Sequence, residues 1–310
     1  MKTMKAFVRI DPGHQKVQMT EVPVPELQSD QMLIKVKAFG VGIHDRYFIP
    51  TDVDFPYPIG TEGAGIVTKL GEQVTDFNIN DRVIFTTTLQ PQGGSWAEYA
   101  AAKQTAVTRL PDDLSFQKGA AVPIAGGTAL ECMRALNLIK GDDLFIAGAS
   151  GAIGTFVIQL AAAKGIHIAA SASEKNHNYM QALGAEKTVD YHSPDWTNQV
   201  NKWSKGGVTA ALAIQPGTGI DSIKVVKDGG KLITVSGDSD QVTPERNITI
   251  DQMGHHDDTK QKLVQLLRTI SKGEMRVVIE KEYAFEEALE ALRKTETRQA
   301  RGKLIVHGLH

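Results

Sequence analysis

The sequence predicts an α/β plus β architecture: a β-rich first third, a central parallel sheet wound with helices on both faces, and a short return to the first part at the C-terminus. Three observations predict it. Prolines at 12, 23, 25, 50, 56, 58 and 91 cut the first third into short segments that cannot form long helices. From about Leu144, apolar runs open near residues 144, 166, 187, 208 and 231 with helix-length spacers between them, and such βα alternation makes a parallel sheet covered on both faces. At 310 residues the chain is about twice an ordinary domain, so it can bury two cores.

Along the chain, Met32 to Ala38 alternates so that Ile34, Val36 and Ala38 share one face of a strand, and Arg82 to Thr87 is a second short strand opened by the turn pair Asn80-Asp81. The βα repeat stops after Leu232 to Ser236. Ser236 to Asp258, rich in Gly, Asp and Thr, reads as a loop or crossover. Two amphipathic helices follow, one with Leu263, Leu266, Leu267 and Ile270 on a stripe and one with Phe285, Ala288, Leu289 and Leu292. Lys303 to His307 forms a last strand. There is no tandem repeat or low-complexity tract.

Composition excludes several classes of function. Lys+Arg 34 against Asp+Glu 36 leaves a net charge of −2, so no polyanion-binding surface and no nucleic-acid partner are expected. With 41% apolar and 23% charged residues the chain is not disordered. The one cysteine, Cys132, forms neither an internal disulfide nor a four-thiolate zinc site, which fits a reducing cytoplasm; at helical spacing beside Leu130, Met133 and Leu136 it reads as core. The start lacks the roughly 7 to 15 apolar residues of a signal peptide, and the apolar stretch near Val157 to Ala163 is interrupted by Gln159 and ended by Lys164. A cytoplasmic protein without a membrane partner is expected.

The strongest local signal is Asp143-Leu-Phe-Ile-Ala-Gly148-Ala149-Ser150-Gly151-Ala152-Ile153-Gly154, an apolar strand running into a glycine turn and then a helix. Read from Ala149 it is A-x-G-x-x-G, a dinucleotide fingerprint with its first glycine replaced by the next smallest residue. Gly151 lets backbone approach a pyrophosphate, Gly154 lets helix and strand pack closely, and the helix N-terminus offers unpaired N–H donors to the anion. The competing reading is a purely structural Gly-rich turn; the strand–turn–helix context and the βα repeats after it favour the nucleotide.

The end of the second strand, Ile166-His-Ile-Ala-Ala-Ser171-Ala-Ser173-Glu174-Lys175, selects the nucleotide. An NAD site places a carboxylate there for the ribose hydroxyls, whereas NADP needs neutral or basic groups around its 2′-phosphate. With the strand tip at Ser171, the hydroxyls of Ser171 and Ser173 and the ammonium of Lys175 favour NADPH. Glu174 lies where plain counting places the acid and is the counter-evidence; as an exposed first-turn residue it equally suits the helix dipole.

With the fingerprint placed, the chain resembles the medium-chain dehydrogenase/reductase superfamily, specifically its zinc-free quinone oxidoreductase branch. The matching segments occur in family order: Pro58-Ile-Gly-Thr-Glu62-Gly-Ala-Gly-Ile-Val, Gly93-Gly-Ser-Trp-Ala-Glu-Tyr-Ala, Leu110-Pro-Asp-Asp-Leu-Ser-Phe, Ala120-Ala-Val-Pro, Gly127-Thr128-Ala, the fingerprint, Leu183-Gly-Ala and Arg301-Gly-Lys-Leu-Ile-Val. The resemblance implies a GroES-like β-barrel catalytic domain, residues 1–121 and 256–310, with a Rossmann NADP-binding domain inserted over 122–255. In the alcohol-dehydrogenase branch a Cys and a His ligate zinc at the positions held here by Gly42 and Thr61, neither of which is an adequate ligand. No metal is expected, His44 being a packed or solvated side chain and His255-His256 a solvated loop.

The resemblance further implies that Asp45 and Tyr47 are the active-site Asp and Tyr. Tyr47 would hydrogen-bond a developing oxyanion or the nicotinamide ribose, and Asp45 would orient it. The family usually has Asn where Gly42 stands, so one polar contact is missing. Thr128 matches a threonine near the nicotinamide and phosphates, and Tyr191 a residue near the adenosine phosphate. Val235, Ser236 and Gly237 end the strand that flanks the nicotinamide amide. The segment from Asp238 to Thr259 is shorter than is usual, which bears on the substrate-cleft wall and on the strand through which a homodimer would form. The expected reaction is NADPH-dependent hydride transfer to quinones or related electrophilic carbonyls, which need no Lewis acid. The alternatives are an enone or alkenal double-bond reductase and, from another class, an NADP-binding sensor or structural protein without catalysis.

Overall fold

The computed structural model describes residues 2–13, 16–243, 246–256 and 258–308. The chain divides into two compact units, Met1–Ile124 with Lys260–His310, and Ala125–Thr259.

The N-terminal part of the first unit carries β1 (Thr3–Arg9), β2 (Val17–Pro23), β3 (Gln31–Val41), β4 (Tyr57–Pro58), β5 (Glu62–Leu70), β6 (Arg82–Thr86), β7 (Tyr99–Lys103) and β8 (Val107–Arg109), then α1 (Phe116–Ala120) and the start of α2 (Pro123–Leu136). In β3, Ile34, Val36 and Ala38 are fully buried, while Lys35 and Lys37 between them are half-buried, as the alternation requires. Ser115 caps α1 by accepting from the Lys118 N–H at 3.2 Å.

The second unit contributes β9 (Asp143–Ala147), α3 (Ala152–Ala163), β10 (His167–Ser171), α4 (His177–Ala182), β11 (Lys187–Val189), α5 (Trp196–Trp203), β12 (Val208–Ala213), α6 (Gly219–Ser222), β13 (Val226–Thr234) and β14 (Thr249–Gln252). Helix α7 (Thr259–Ser271) leads back to the first unit, followed by β15 (Ile279–Ala284), α8 (Ala288–Glu296) and β16 (Lys303–His307). The predicted stripes are mostly buried: Leu266, Leu267 and Ile270 on α7, and Ala288 and Leu292 on α8 with Phe285 just before it, while Leu263 and Leu289 are half-buried. Among the described residues no helix is long and apolar enough to cross a membrane.

The first unit holds a three-stranded sheet, β2-β1-β4, and a seven-stranded one, β15-β16-β3-β5-β6-β8, with β7 also paired to β3. Its core stacks Trp96 on Phe39, ring centres 5.1 Å apart, and sets Phe7 edge-on to both Trp96 and Phe285. Such aromatic pairs each stabilise by about 0.5–1.5 kcal/mol beyond the area they bury.

The second unit's sheet is parallel in the order β11-β10-β9-β12-β13-β14. In sequence rank that is 3-2-1-4-5-6, the doubly wound order whose direction reverses beside the first strand, where nucleotides bind. β14 corrects the expectation of a loop over Ser236 to Asp258, of which Pro244, Glu245 and Asp257 lie outside the described residues. Thr249, Asp251 and Gln252 are exposed and only Ile250 is apolar, so this edge strand, paired on one side by β13, carries no hydrophobic period to betray it.

Candidate active site

In the second unit β9 ends at Ala147 and the chain turns at Gly148, whose φ of +80° requires glycine. The buried Ala149 donates its N–H to the Ser171 carbonyl at 3.2 Å, setting the turn against the end of β10. Gly151 is the N-cap of α3 and no side chain caps the helix there, so the N–H groups of Ala152 and Ile153 remain for an external acceptor. A Cβ at Gly154 would lie 2.4 Å from the Ala149 carbonyl oxygen, whereas one at Gly151 would meet only the Gly148 oxygen, at 3.5 Å. Gly154 is therefore a packing glycine and Gly151 an approach glycine. Ser150, Gly151, Ala152 and Ile153 are half-buried, so side chains do not seal the turn. The Tyr179 hydroxyl steadies it by donating to the Ser150 carbonyl. The cradle fits a pyrophosphate.

At the adenosine end, Ser171 closes β10 and is buried, while Lys175 is exposed in the short turn that follows. The Ser173 hydroxyl accepts from the Asn176 side chain at 3.1 Å and caps no backbone N–H. Tyr191 is exposed, its ring 4.0 Å from that of His192. Asp190, which sequence reasoning passed over, ties these loops together. Its carboxylate accepts from the His192 N–H (2.9 Å) and ring (2.7 Å) and from the Glu174 N–H (3.3 Å). The His192 N–H is the main cause that holds its carboxyl below the usual value.

Thr128 lies half-buried in α2, after Gly127, whose Cβ position is open to space beyond its own stretch of helix among the described residues. Val235, Ser236 and Gly237 follow β13, with Gly237 at φ +73°. Asp238 organises this tip: its carboxylate accepts from the Ser236 hydroxyl at 2.8 Å and from the Gly217 N–H at 2.7 Å, joining the loops that leave β12 and β13. His255 and His256 are exposed in a loop, as expected, and His256 also donates its backbone N–H (3.1 Å) to the buried Glu131 of α2 and places ring Nδ1 2.7 Å from the same carboxylate.

The first unit builds a network of side chains. Asp45 is 1% exposed. Its Oδ2 accepts from the Gly42 N–H and its Oδ1 from the Thr61 hydroxyl, both at 2.6 Å. Burial pushes its carboxyl up to about 6, against the pull of Lys303 and of those two hydrogen bonds, with Glu62 adding to the rise. Behind it the buried Glu62 and Lys303 form an ion pair, and Glu62 Oε2 accepts from the Ile124 N–H at 2.8 Å, placing negative charge at the N-terminus of α2. A Cβ at Gly40 would lie 2.6 Å from Glu62 Oε1 and 2.7 Å from Lys303 Cε, so the glycine makes room for the pair.

One feature departs from the sequence-based picture. Asp45 does not orient Tyr47: it is bound to Gly42 and Thr61, while the Tyr47 hydroxyl, in a residue 41% exposed, accepts from Arg46 Nη2 at 2.6 Å. His44 stacks on Phe48, ring centres 5.1 Å apart, and desolvation lowers its pKa. A glycine, a neutral threonine and a carboxylate already bonded to both are a donor set that does not fit zinc. Among the described residues no group of three or more His, Cys, Asp or Glu side chains gathers elsewhere to hold an ion.

Residues 28–112 match the alcohol dehydrogenase GroES-like domain family, and residues 183–306 the zinc-binding dehydrogenase family. The chain is 30% identical over 324 residues to 2-methylene-furan-3-one reductase of Solanum lycopersicum, covering 98% of this chain and 79% of that one. It is 30% identical over 325 residues to the chloroplastic NADPH-dependent alkenal/one oxidoreductase of Arabidopsis thaliana, covering 99% and 80%. Among solved structures, the quinone oxidoreductase from Coxiella burnetii superposes with a TM-score of 0.89 at 28% identity, over 99% of this chain and 100% of that one.

Proposed function

Since the chain belongs to the quinone oxidoreductase branch of the medium-chain dehydrogenase/reductase superfamily and is an oxidoreductase, we propose that it is an NADPH-dependent, zinc-independent reductase of quinones or of α,β-unsaturated carbonyls. The observation that carries this reading is the uncapped, unsealed turn at Gly151 to Gly154. When bound, NADPH supplies hydride from its nicotinamide, which with one proton from water turns a quinone into a hydroquinone, or an enone into the saturated ketone.

The residues divide the work. The N–H groups of Ala152 and Ile153 bind the pyrophosphate, with Ser150 and Gly151 forming the approach. Ser171, Ser173 and Lys175 take the 2′-phosphate, Tyr191 borders the adenosine, and Thr128 with Val235 to Gly237 borders the nicotinamide. Tyr47 donates a hydrogen bond to the carbonyl oxygen as negative charge gathers there. Asp45 holds the turn that carries Tyr47 by joining Gly42 to Thr61. Both acceptor classes delocalise the arriving charge onto oxygen, so no Lewis acid is needed.

Steady-state NADPH oxidation with a benzoquinone and with an enone tests this. Turnover with either supports the reading, and the ratio of kcat/KM values assigns the acceptor class. Tight NADPH binding without turnover across a broad acceptor panel favours the non-catalytic sensor. Activity is expected to survive dialysis against a strong chelator; activity lost there and restored by zinc would overturn metal independence.

A further inference from the structure

We propose that Arg46 is a positioning residue that sets the Tyr47 hydroxyl to donate to the substrate oxygen. This rests on the reading of Tyr47 given above and adds a residue to it. The Arg46 guanidinium lies 4.8 Å from the centre of the Tyr47 ring, and its Nη2 donates to the phenol oxygen at 2.6 Å. Its other terminal nitrogen, Nη1, is held at 2.7 Å by Glu296, the last residue of α8. A planar guanidinium fixed at one terminus and aimed with the other fills a lone pair of the phenol oxygen in a set direction. Among the described residues the Tyr47 O–H donates to no acceptor of the chain, so its hydrogen is left for a ligand. Donation from a cation into the oxygen also polarises the O–H bond, which strengthens it as a donor to a developing oxyanion.

Holding this arrangement leaves Arg46 Nε buried without a hydrogen-bond partner. Packing alone supplies no reason for the orientation. A solvated arginine would free that nitrogen and lose only the contact with Tyr47 and the pair with Glu296.

The test is a double-mutant cycle on kcat with the better acceptor. Tyr47→Phe is expected to lower kcat about 100-fold, the scale of one oxyanion donor. Arg46→Met, which keeps the stem against the ring, is expected to lower kcat about tenfold while the KM for NADPH stays within about twofold, a partial loss of that donor. Arg46→Lys should recover part of the loss, and Glu296→Gln should cost about threefold through the guanidinium it no longer fixes. In the Tyr47→Phe background Arg46→Met should cost nothing further. An unimpaired Tyr47→Phe enzyme overturns the reading of Tyr47 and this inference with it. An impaired Tyr47→Phe beside an unimpaired Arg46→Met overturns the inference alone. So does Arg46→Met lowering kcat equally in both backgrounds, the signature of a structural role.

Discussion

The second unit draws its candidate site in backbone, within the seven consecutive residues from Gly148 to Gly154, whereas the first draws its own in the side chains of Asp45, Thr61, Glu62 and Lys303, with the Gly42 N–H as a donor. The backbone site presents neutral N–H dipoles that need no counter-charge and depends on the absence of side chains. The side-chain network buries two carboxylates and one ammonium, each of which has to be bonded or balanced. The first kind fails when an atom is added and the second when one is removed.

The largest effect on cofactor binding expected from that contrast is at Gly154. Gly154→Val places a Cβ 2.4 Å from a backbone carbonyl that cannot move without unmaking the turn. NADPH affinity should fall by more than about 100-fold, a loss of the order of 3 kcal/mol, in a cofactor-fluorescence titration. A variant that binds within threefold of the parent would show that the turn is not the cradle.

On the other side, Lys303→Met leaves Glu62 buried and uncompensated and should destabilise the protein by about 3–5 kcal/mol in chemical denaturation. Adding Glu62→Gln should return most of that, because the penalty is the orphaned charge and not a lost contact. Equal destabilisation by the single and double variants would place the cost in packing instead.

Asp45 sharpens the same point through pH. Its carboxyl titrates near 3.8 in the unfolded chain and about 6 in the folded one, so the folded state binds this proton more tightly. From this group, stability is highest below about 4 and falls as pH rises to about 6, by roughly 3 kcal/mol in all. Above that the cost of the buried charge is fully present. Asp45→Asn keeps an acceptor for Gly42 and removes the ionisation. The stability difference between parent and variant should therefore change across pH 4 to 6 and be flat from 7 to 8, whereas a difference flat throughout would mean that Asp45 is solvated.

The contrast also explains what was legible in the sequence. Glycine spacing marks a backbone site, because the conformation and the close approach each demand glycine at a fixed offset; hence 148–154 could be read directly, with β9 and α3 around it. The helices α7 and α8 were readable because each buries one face, and the strands β3, β6 and β16 because each is a short, largely apolar run. The network around Asp45 was not. Glu62 and Lys303 stand in separate motifs, and only the pairing of β16 and β5 with the two sides of β3 brings them together. Arg46 and Asp190 look like ordinary charged residues until their partners are known. The resemblance pairs Asp45 with Tyr47, two residues on, whereas the partners that the fold brings to its carboxylate are Gly42 and Thr61.

The smallest effect tests a part of the candidate nucleotide site that is made of side chains. Lys175 is exposed and, among the described residues, forms no ion pair, so its contribution to a bound 2′-phosphate would be that of a single charge-assisted contact, about 1.5–3 kcal/mol. Lys175→Glu should weaken NADPH by roughly 10- to 100-fold and leave NADH within twofold. Glu174 supplies the control. Its N–H is tied to Asp190, which fixes the backbone while leaving its side chain exposed. If Glu174 binds the ribose hydroxyls of NADH, Glu174→Gln weakens NADH and leaves NADPH alone. If it is a solvated first-turn acid, Glu174→Gln instead tightens NADPH slightly by removing a like charge beside the phosphate. Equal losses of both nucleotides in Lys175→Glu would take the 2′-phosphate away from Lys175 and leave the preference to Ser171 and Ser173, whose hydroxyls donate without charge and discriminate less.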